Sequence, residues 1–187
     1  ITVQRTTYLP VSAETRLEAL SIPATITVYN KRFTVLNRAL QTLAGAPGNR
    51  VDARLARLMA ATYQQNTPSH ASLPAIPEED FHLWQKEDGG IALLPYSASD
   101  VMLTARLCSI APERFDTERL RSYFTAIARD EKALPMQAVA AFWGLASLNE
   151  PVLLDLRALL ATPDLSDAER LVCALALADL GDFDGAS

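Results

Sequence analysis

From residue 31 onward, apolar side chains recur at intervals of three and four, the spacing of one face of an α-helix. In the second half of the chain, segments that are apolar almost all round alternate with segments that carry a single apolar stripe. An all-round apolar helix has to be buried, whereas a striped one faces water, so the pattern predicts an inner and an outer set of helices. The all-round segments are 101–111, 135–148 and 170–180, and the striped segments are 117–130 and 151–161.

Further helices are predicted upstream of these. The pattern indicates one helix over 31–45 and another that begins near Val51. The connection over 65–77 is rich in Pro, Ser and Asn, which is typical of a loop, and a short helix is predicted over 78–86. Near the C-terminus, Ser166 and Glu169 have the S-x-x-E spacing of a helix capping box.

A turn with paired glycines connects the two halves of the chain, formed by Asp88, Gly89 and Gly90. Glycine adopts backbone angles that a residue with a Cβ resists, and Asp tolerates tight turns. The next four residues, 91–94, are predicted to be an extended apolar segment that Pro95 stops. Ser97 or Ser99 is predicted to cap the helix that follows.

The first thirty residues differ from the rest. Residues 1–3 and 25–29 are β-branched and alternating, which favours extended or β structure. We therefore expect an extended or β arm from a preceding domain over 1–30 and a helical domain over 31–187. Because the chain begins with Ile1 and has no signal-peptide pattern, we expect it to be one domain of a longer polypeptide.

Composition excludes several classes of protein. With 49% hydrophobic and 21% charged residues, the chain is globular rather than disordered. The net charge of −5 argues against nucleic-acid binding, and no apolar run approaches the roughly 20 residues that cross a bilayer. Cys108 and Cys173 lie in apolar helical segments, which favours buried free thiols over a disulfide. Neither His70 nor His82 has a second ligand at metal-site spacing, so no metal is expected.

Three sets of residues have both a functional and a structural interpretation, and the structural one is favoured for each. The acids near residue 80 suit acid–base chemistry or a divalent ion, but also the first turn of a helix. An arginine stripe suits an acidic partner, but also a solvated face or intramolecular pairing. Tryptophans suit ligand stacking, but more often lie in the core. The sets are Glu78, Glu79, Asp80 and Asp88; Arg50, Arg54 and Arg57; and Trp84 and Trp143.

Residues 84–91, Trp-Gln-Lys-Glu-Asp-Gly-Gly-Ile, resemble the QxxDGG loop of α/α-toroid proteins. These proteins include the thioester domains of alpha-2-macroglobulins and complement proteins and, more distantly, terpenoid cyclases and prenyltransferases. The elements on both sides are similar over roughly residues 20–182, including an inner helix that ends in Leu-Gly at 174–181. The resemblance implies a mainly α fold of α/α-toroid-like helical hairpins. A full toroid usually has more helix pairs, so we expect a partial ring or one completed by other sequence.

The residues that carry the family's chemistry are replaced in this chain. The family's thioester joins a Cys thiol to the side chain of a Gln three residues later. Residues 47–58 resemble the segment that bears this pair, and the alignment places Arg50 at the Cys position and Ala53 at the Gln position. A second alignment frame places Asn49 at the Cys position, and neither frame permits the bond. Cys108 and Cys173 have no suitable Gln three residues later.

The resemblance therefore implies a non-catalytic domain of a bacterial alpha-2-macroglobulin-like envelope protein that lacks the thioester. Such a protein is periplasmic or secreted and traps or inhibits proteases without covalent capture. The implied partners are other domains of the same polypeptide and proteases, with no cofactor, metal, nucleic acid or membrane insertion. One alternative is a helical-repeat scaffold that binds a peptide or protein in a groove, although the uneven helix spacing disfavours a strict repeat. A second is a degenerate terpenoid cyclase, but the Asp-rich and zinc motifs are missing from the sequence.

Overall fold

A computed structural model describes residues 10, 12, 14–16, 31–65 and 80–186. Within these residues the chain is mainly helical and contains no strand. A 3₁₀ turn over Pro112–Arg114 lies between the third and fourth of its helices. The helices are α1 (Lys31–Ala44), α2 (Val51–Gln65), α3 (Val101–Ile110), α4 (Thr117–Ala128), α5 (Pro135–Ser147), α6 (Leu153–Leu160) and α7 (Asp167–Asp179). The predicted arm over 1–30 and the predicted loop over 65–77 lie almost entirely outside the described residues. In the described part of the chain, no helix is long and apolar enough to cross a bilayer.

The helices predicted from the apolar pattern are present, with ends that differ from the prediction by at most three residues. The largest change at a predicted start is in α7, which begins at Asp167 rather than residue 170. The cause is the predicted capping box, since the Glu169 backbone N–H donates to Ser166 Oγ at 3.4 Å and the Ser166 N–H donates to the Glu169 carboxylate at 2.8 Å. The capping box therefore marked the start of this helix more accurately than the apolar periodicity did.

Two local predictions are wrong. The described part of 78–86 is a turn rather than a helix, because Gln85 pairs in a bridge with Ile91 and the Ala92 N–H donates to the Trp84 carbonyl at 2.9 Å. The N-cap of α3 is Asp100 rather than Ser97 or Ser99, and its carboxylate accepts from the Leu103 N–H at 2.7 Å. The extended segment predicted over 91–94 is only partly right, because residues 91–92 form bridges to residues 85 and 99 whereas residues 93–94 are bends.

The centre of the helical array is α5, which packs against α3, α4 and α7. The all-round apolar pattern of α5 matches its burial, since seven of its residues are buried: Val139, Ala140, Ala141, Trp143, Gly144, Leu145 and Ala146. The striped helix α4 buries only Leu120 and Phe124, and α6 buries only Leu156. The prediction of all-round burial is only partly right for α3 and α7, because Ile110 is 49% exposed and Leu171 is 62% exposed.

Gly144 sets the distance between α4 and α5. The fully buried ring of Phe124 on α4 lies directly over this glycine. A Cβ built at residue 144 would lie 2.2 Å from Cζ of that ring, well inside van der Waals contact. The absence of a side chain at this position therefore allows an aromatic ring to fill the space between the two helices.

We expect Gly144→Ala to lower the free energy of unfolding by about 1–2 kcal/mol, because overpacking a buried contact outweighs the gain of about 1 kcal/mol in helix propensity. Urea denaturation measures the change. As a control, the double variant with Phe124→Leu should be more stable than the sum of the two single changes predicts, since the smaller side chain leaves room for the methyl group. Strict additivity would show that the ring contact does not cause the loss.

Candidate functional site

The structure brings together the two stretches that the sequence singled out, the start of α2 and the loop before α3. The indole Nε1 of Trp84 donates to the Asn49 carbonyl at 3.2 Å, and the Val51 N–H donates to the Leu93 carbonyl at 3.0 Å. Trp84 is 1% exposed, so its predicted place in the core is confirmed. The Arg54 guanidinium lies 5.1 Å from the centroid of the same indole ring, within the range of a cation–π contact.

Arg50 and Ala53, which the resemblance aligns with the thioester positions, lie at the start of α2. Arg50 is exposed and immediately precedes the helix, whereas Ala53 is half-buried in its first turn. Arg50 Nε and Nη2 donate to the two carboxylate oxygens of Asp52 at 3.0 and 2.6 Å. This pairing raises the pKa of Arg50 and lowers the pKa of Asp52. A guanidinium bound to a carboxylate and a methyl side chain supply neither a thiol nor an acyl group, so these two positions form no thioester.

The glycine loop (Gln85–Gly90) is fastened to the start of α4 by one buried side chain. Gln85 is 6% exposed, and its Nε2 donates to the carbonyls of Gly89 at 3.1 Å and Asp116 at 3.0 Å. Its Oε1 accepts from the Asp116 N–H at 2.8 Å. Asp116 is also the N-cap of α4, and its carboxylate accepts from the N–H groups of Glu118 and Arg119. One primary amide therefore joins the loop to the helix cap.

Both carboxylate oxygens of Asp88 take part in holding the loop. Oδ1 accepts from the Gly90 N–H at 2.9 Å, and Oδ2 accepts from the Ser99 hydroxyl at 2.6 Å. Tyr123 of α4 contacts the same hydroxyl with its OH at 3.5 Å, and burial raises the pKa of this phenol. Through these contacts Asp88 joins the loop to the residue that precedes the N-cap of α3.

The two glycines of the loop lie directly against α4. Gly89 has a φ of +94°, and a Cβ there would lie 2.2 Å from the Arg119 carbonyl oxygen. A Cβ on Gly90 would lie 2.5 Å from Cζ of the Tyr123 ring. Arg119 in turn donates from Nη2 to the Lys86 carbonyl at 2.6 Å. Because backbone and helix touch, the Asp-Gly-Gly sequence acts as a packing surface as well as a turn.

The remaining candidate residues do not converge on a reactive centre in the part of the chain that is described. Cys108 and Cys173 are buried free thiols, as predicted. Burial, together with the charge of Asp179, raises the pKa of Cys108 to about 12, and burial also raises the pKa of Cys173, so neither supplies a thiolate at neutral pH.

The histidines and the acids near residue 80 give no metal site among the described residues. His82 is exposed, and no group of three or more His, Cys, Asp or Glu side chains is placed to hold an ion. The Asp80 carboxylate accepts from the His82 N–H at 2.9 Å and so stabilises a turn. His70, Glu78 and Glu79 lie outside the described residues.

A cleft of about 380 Å³, which the sequence did not predict, opens between α4, α5 and the start of α6. Its lining combines apolar and charged side chains: Thr125, Ala128, Arg129, Phe142, Leu145, Glu150, Pro151, Val152 and Asp155. On one side, Arg121 of α4 pairs with both Glu118 and Glu150. The lining residues are spread over thirty positions of sequence, so only the helix packing assembles them.

Searches of protein-family models, of curated proteins and of solved structures each find no match to this chain.

We expect Gly89→Ala to lower the free energy of unfolding by about 3–5 kcal/mol, because it adds a clash with backbone to an unfavourable φ. Gly181 is the matched control, since it has a φ of +80° but no heavy atom within 4 Å of the position that a Cβ would take. Gly181→Ala should therefore lower the free energy of unfolding by about 1–2 kcal/mol, the cost of a positive φ for alanine without a steric clash. Thermal and urea denaturation of both variants measure the difference, and equal losses would contradict the close approach of the loop to α4.

We expect Gln85→Glu to lower the free energy of unfolding at neutral pH by about 2–4 kcal/mol, because a carboxylate would face two carbonyl oxygens in a buried site. This environment raises the pKa of the introduced carboxyl above its unfolded value of about 4.3. The loss should therefore be smallest below pH 4 and should grow as the pH rises through the raised pKa. Urea midpoints measured from pH 4 to 8, relative to wild type, test this.

The control for this pH dependence is Gln137→Glu. Gln137 is exposed and uses only its carbonyl oxygen, which accepts from the Leu134 N–H at 3.0 Å near the N-terminus of α5. A carboxylate accepts the same bond and suits the helix dipole, so this variant should be as stable as wild type at neutral pH. A Gln85→Glu variant with the same behaviour would contradict the donor role of the amide.

Proposed function

We propose that this chain is a non-catalytic helical domain of a bacterial alpha-2-macroglobulin-like envelope protein of the class that lacks the thioester. On this proposal its helices belong to a partial α/α toroid, and the whole protein traps proteases by a conformational change. The observation that carries the proposal is the pairing of two features. Trp84 and Leu93, on either side of a QxxDGG-like loop, hydrogen-bond to the start of α2. That start holds Arg50 and Ala53 where the family's reactive pair would be.

The contacts of the glycine loop support a scaffold role. The hydrogen-bonding groups of the Gln85 side chain and both oxygens of Asp88 bind other parts of the same chain. Acid–base catalysis needs a group within reach of the proton that it transfers, and these groups are already engaged. The loop is suited to fixing the position of α4 and of the start of α2 for neighbouring domains.

The start of α2 supports non-covalent action. The side chains of Arg50 and Asp52 are both accessible to solvent, and their pairing lowers the pKa of Asp52, so its carboxylate stays ionised. The pair therefore offers a polar surface rather than an electrophile. A protease held by such a protein would be confined by the closure of its domains. The proposal therefore places the protein in the periplasm or outside the cell, with proteases and the other domains of its own polypeptide as partners.

The test uses the full-length gene product that carries this chain, mixed with an equimolar serine protease. We expect cleavage of a large protein substrate to fall strongly, whereas cleavage of a small peptide anilide stays nearly unchanged, because confinement blocks large substrates and leaves the active site open. On a denaturing gel the protease should run free of the inhibitor. Equal loss of both activities would indicate an active-site inhibitor instead, and no loss of either would contradict trapping.

Methylamine serves as the control for covalent chemistry. A thioester would react with this amine and gain mass, whereas a chain with Arg50 and Ala53 should give an unchanged intact mass. A mass gain located at residues 49–53 would contradict the non-thioester assignment. It would leave open whether the protein traps proteases, so the two parts of the proposal are tested separately.

A further inference from the structure

The hairpin of α1 and α2 is packed less extensively into the fold than the other helices are. Within the described residues α1 packs against α2, whereas neither of these helices packs along any of α3 to α7. The hydrophobic core takes in Val51, Leu55 and Leu58, all in the first half of α2, and no described residue of α1. The hairpin therefore joins the core through the first two turns of α2.

Trp84 lies at this junction, on the side of the glycine loop. Its Nε1 donates to the Asn49 carbonyl at 3.2 Å, and the Arg54 guanidinium lies 5.1 Å from the centroid of its ring. The Val51 N–H donates to the Leu93 carbonyl at 3.0 Å. Val51 and Trp84 are 0% and 1% exposed, so both sides of the junction are closed to water. Separation of the two sides would bring the indole into solvent.

The hairpin itself leaves large apolar side chains in contact with water. Leu36 and Leu43 of α1 and Met59 and Tyr63 of α2 are between 41% and 54% exposed. A part of a protein with few buried apolar contacts opens at a lower free energy than its core does. Helices of 14 and 15 residues are also only marginally stable in water without tertiary packing. The hairpin is therefore expected to unfold once it leaves the junction.

We propose that the hairpin of α1 and α2 opens as one unit, which leaves Trp84 and loses its helical structure while α3 to α7 stay folded. The junction at Trp84 is the latch of this conformational change, and the indole is the surface that opening uncovers. The inference does not rest on the proposed function, because it needs only the unequal packing of the two parts of the chain.

The experiment is native-state hydrogen exchange of the full 187-residue chain, followed by NMR. The two tryptophans serve as paired reporters, since Trp84 donates across the junction and Trp143 donates to Asp179 between α5 and α7 at 3.0 Å. Opening constants are obtained after correction for intrinsic exchange rates. We expect the Trp84 indole and the hairpin amides to share one opening constant, at least about a hundredfold larger than that of the Trp143 indole and the α5 amides.

A matched pair of Leu→Ala variants tests whether the opening is confined to the hairpin. Leu177 of α7 and Leu55 of α2 are 0% and 2% exposed. Leu177→Ala should raise the opening constants of the α5 amides about a hundredfold and leave those of the hairpin unchanged, because Leu177 keeps its contacts when the hairpin opens. Leu55→Ala should raise both sets by the same factor, because its contacts are lost in hairpin opening and in complete unfolding alike.

Three outcomes would overturn the inference. The first is an equal opening constant for the two indoles, and the second is an equal effect of Leu177→Ala on the hairpin and on α5. The third is hairpin amides that open far more readily than the Trp84 indole, which would show fraying without detachment. If Leu177→Ala proves unfolded, Val139→Ala on α5 is the milder variant, with an expected increase of about tenfold confined to α3 to α7.

Discussion

The described fold depends on one primary amide, the side chain of Gln85. It faces two carbonyl oxygens and one N–H in a site closed to water, and a primary amide has the donors and acceptor to match all three. A carboxylate lacks the donors, and a hydroxyl has only one. Since Asp116 caps α4, the same amide connects the glycine loop to the helix that packs on α5. Through Trp84, one residue earlier in the chain, the loop also holds the start of α2.

Local sequence signals predicted most of the helical part, because helices depend on periodicity, caps and breakers within a few residues. The apolar spacing located α3 to α7, and the Ser166 capping box corrected the start of α7. The wrong predictions lie where a contact with residues distant in the sequence determines the local structure. The turn at 81–85 replaces the predicted helix because its backbone pairs with residues 91 and 92, and Ser99 does not cap α3 because its hydroxyl binds Asp88, eleven residues earlier.

The sequence predicts some parts of the candidate site and not others. Paired glycines after Asp88 predict a turn from sequence alone, and the side chains of Arg50 and Ala53 supply neither the thiol nor the acyl group of a thioester, which is also evident without a structure. The contact of Trp84 with Asn49 spans 35 residues, and no local pattern encodes it. The sequence did not predict the cleft for the same reason. Phe142 and Leu145 belong to an all-round apolar segment, so the sequence predicts both as core residues. Only the packing of α4 and α6 around α5 leaves a cleft beside them.

The helix α4 links these features physically. The N-cap Asp116 and the helix residues Arg119 and Tyr123 contact the glycine loop, while Thr125 and Ala128, closer to the C-terminal end, line the cleft. The glycine loop and the cleft are therefore joined through a single helix of twelve residues that also packs on α5. The loop fixes the N-terminal end of that helix through the amide of Gln85 and the cap residue Asp116. The position of α4, and with it one wall of the cleft, thus depends on contacts that no local sequence pattern encodes.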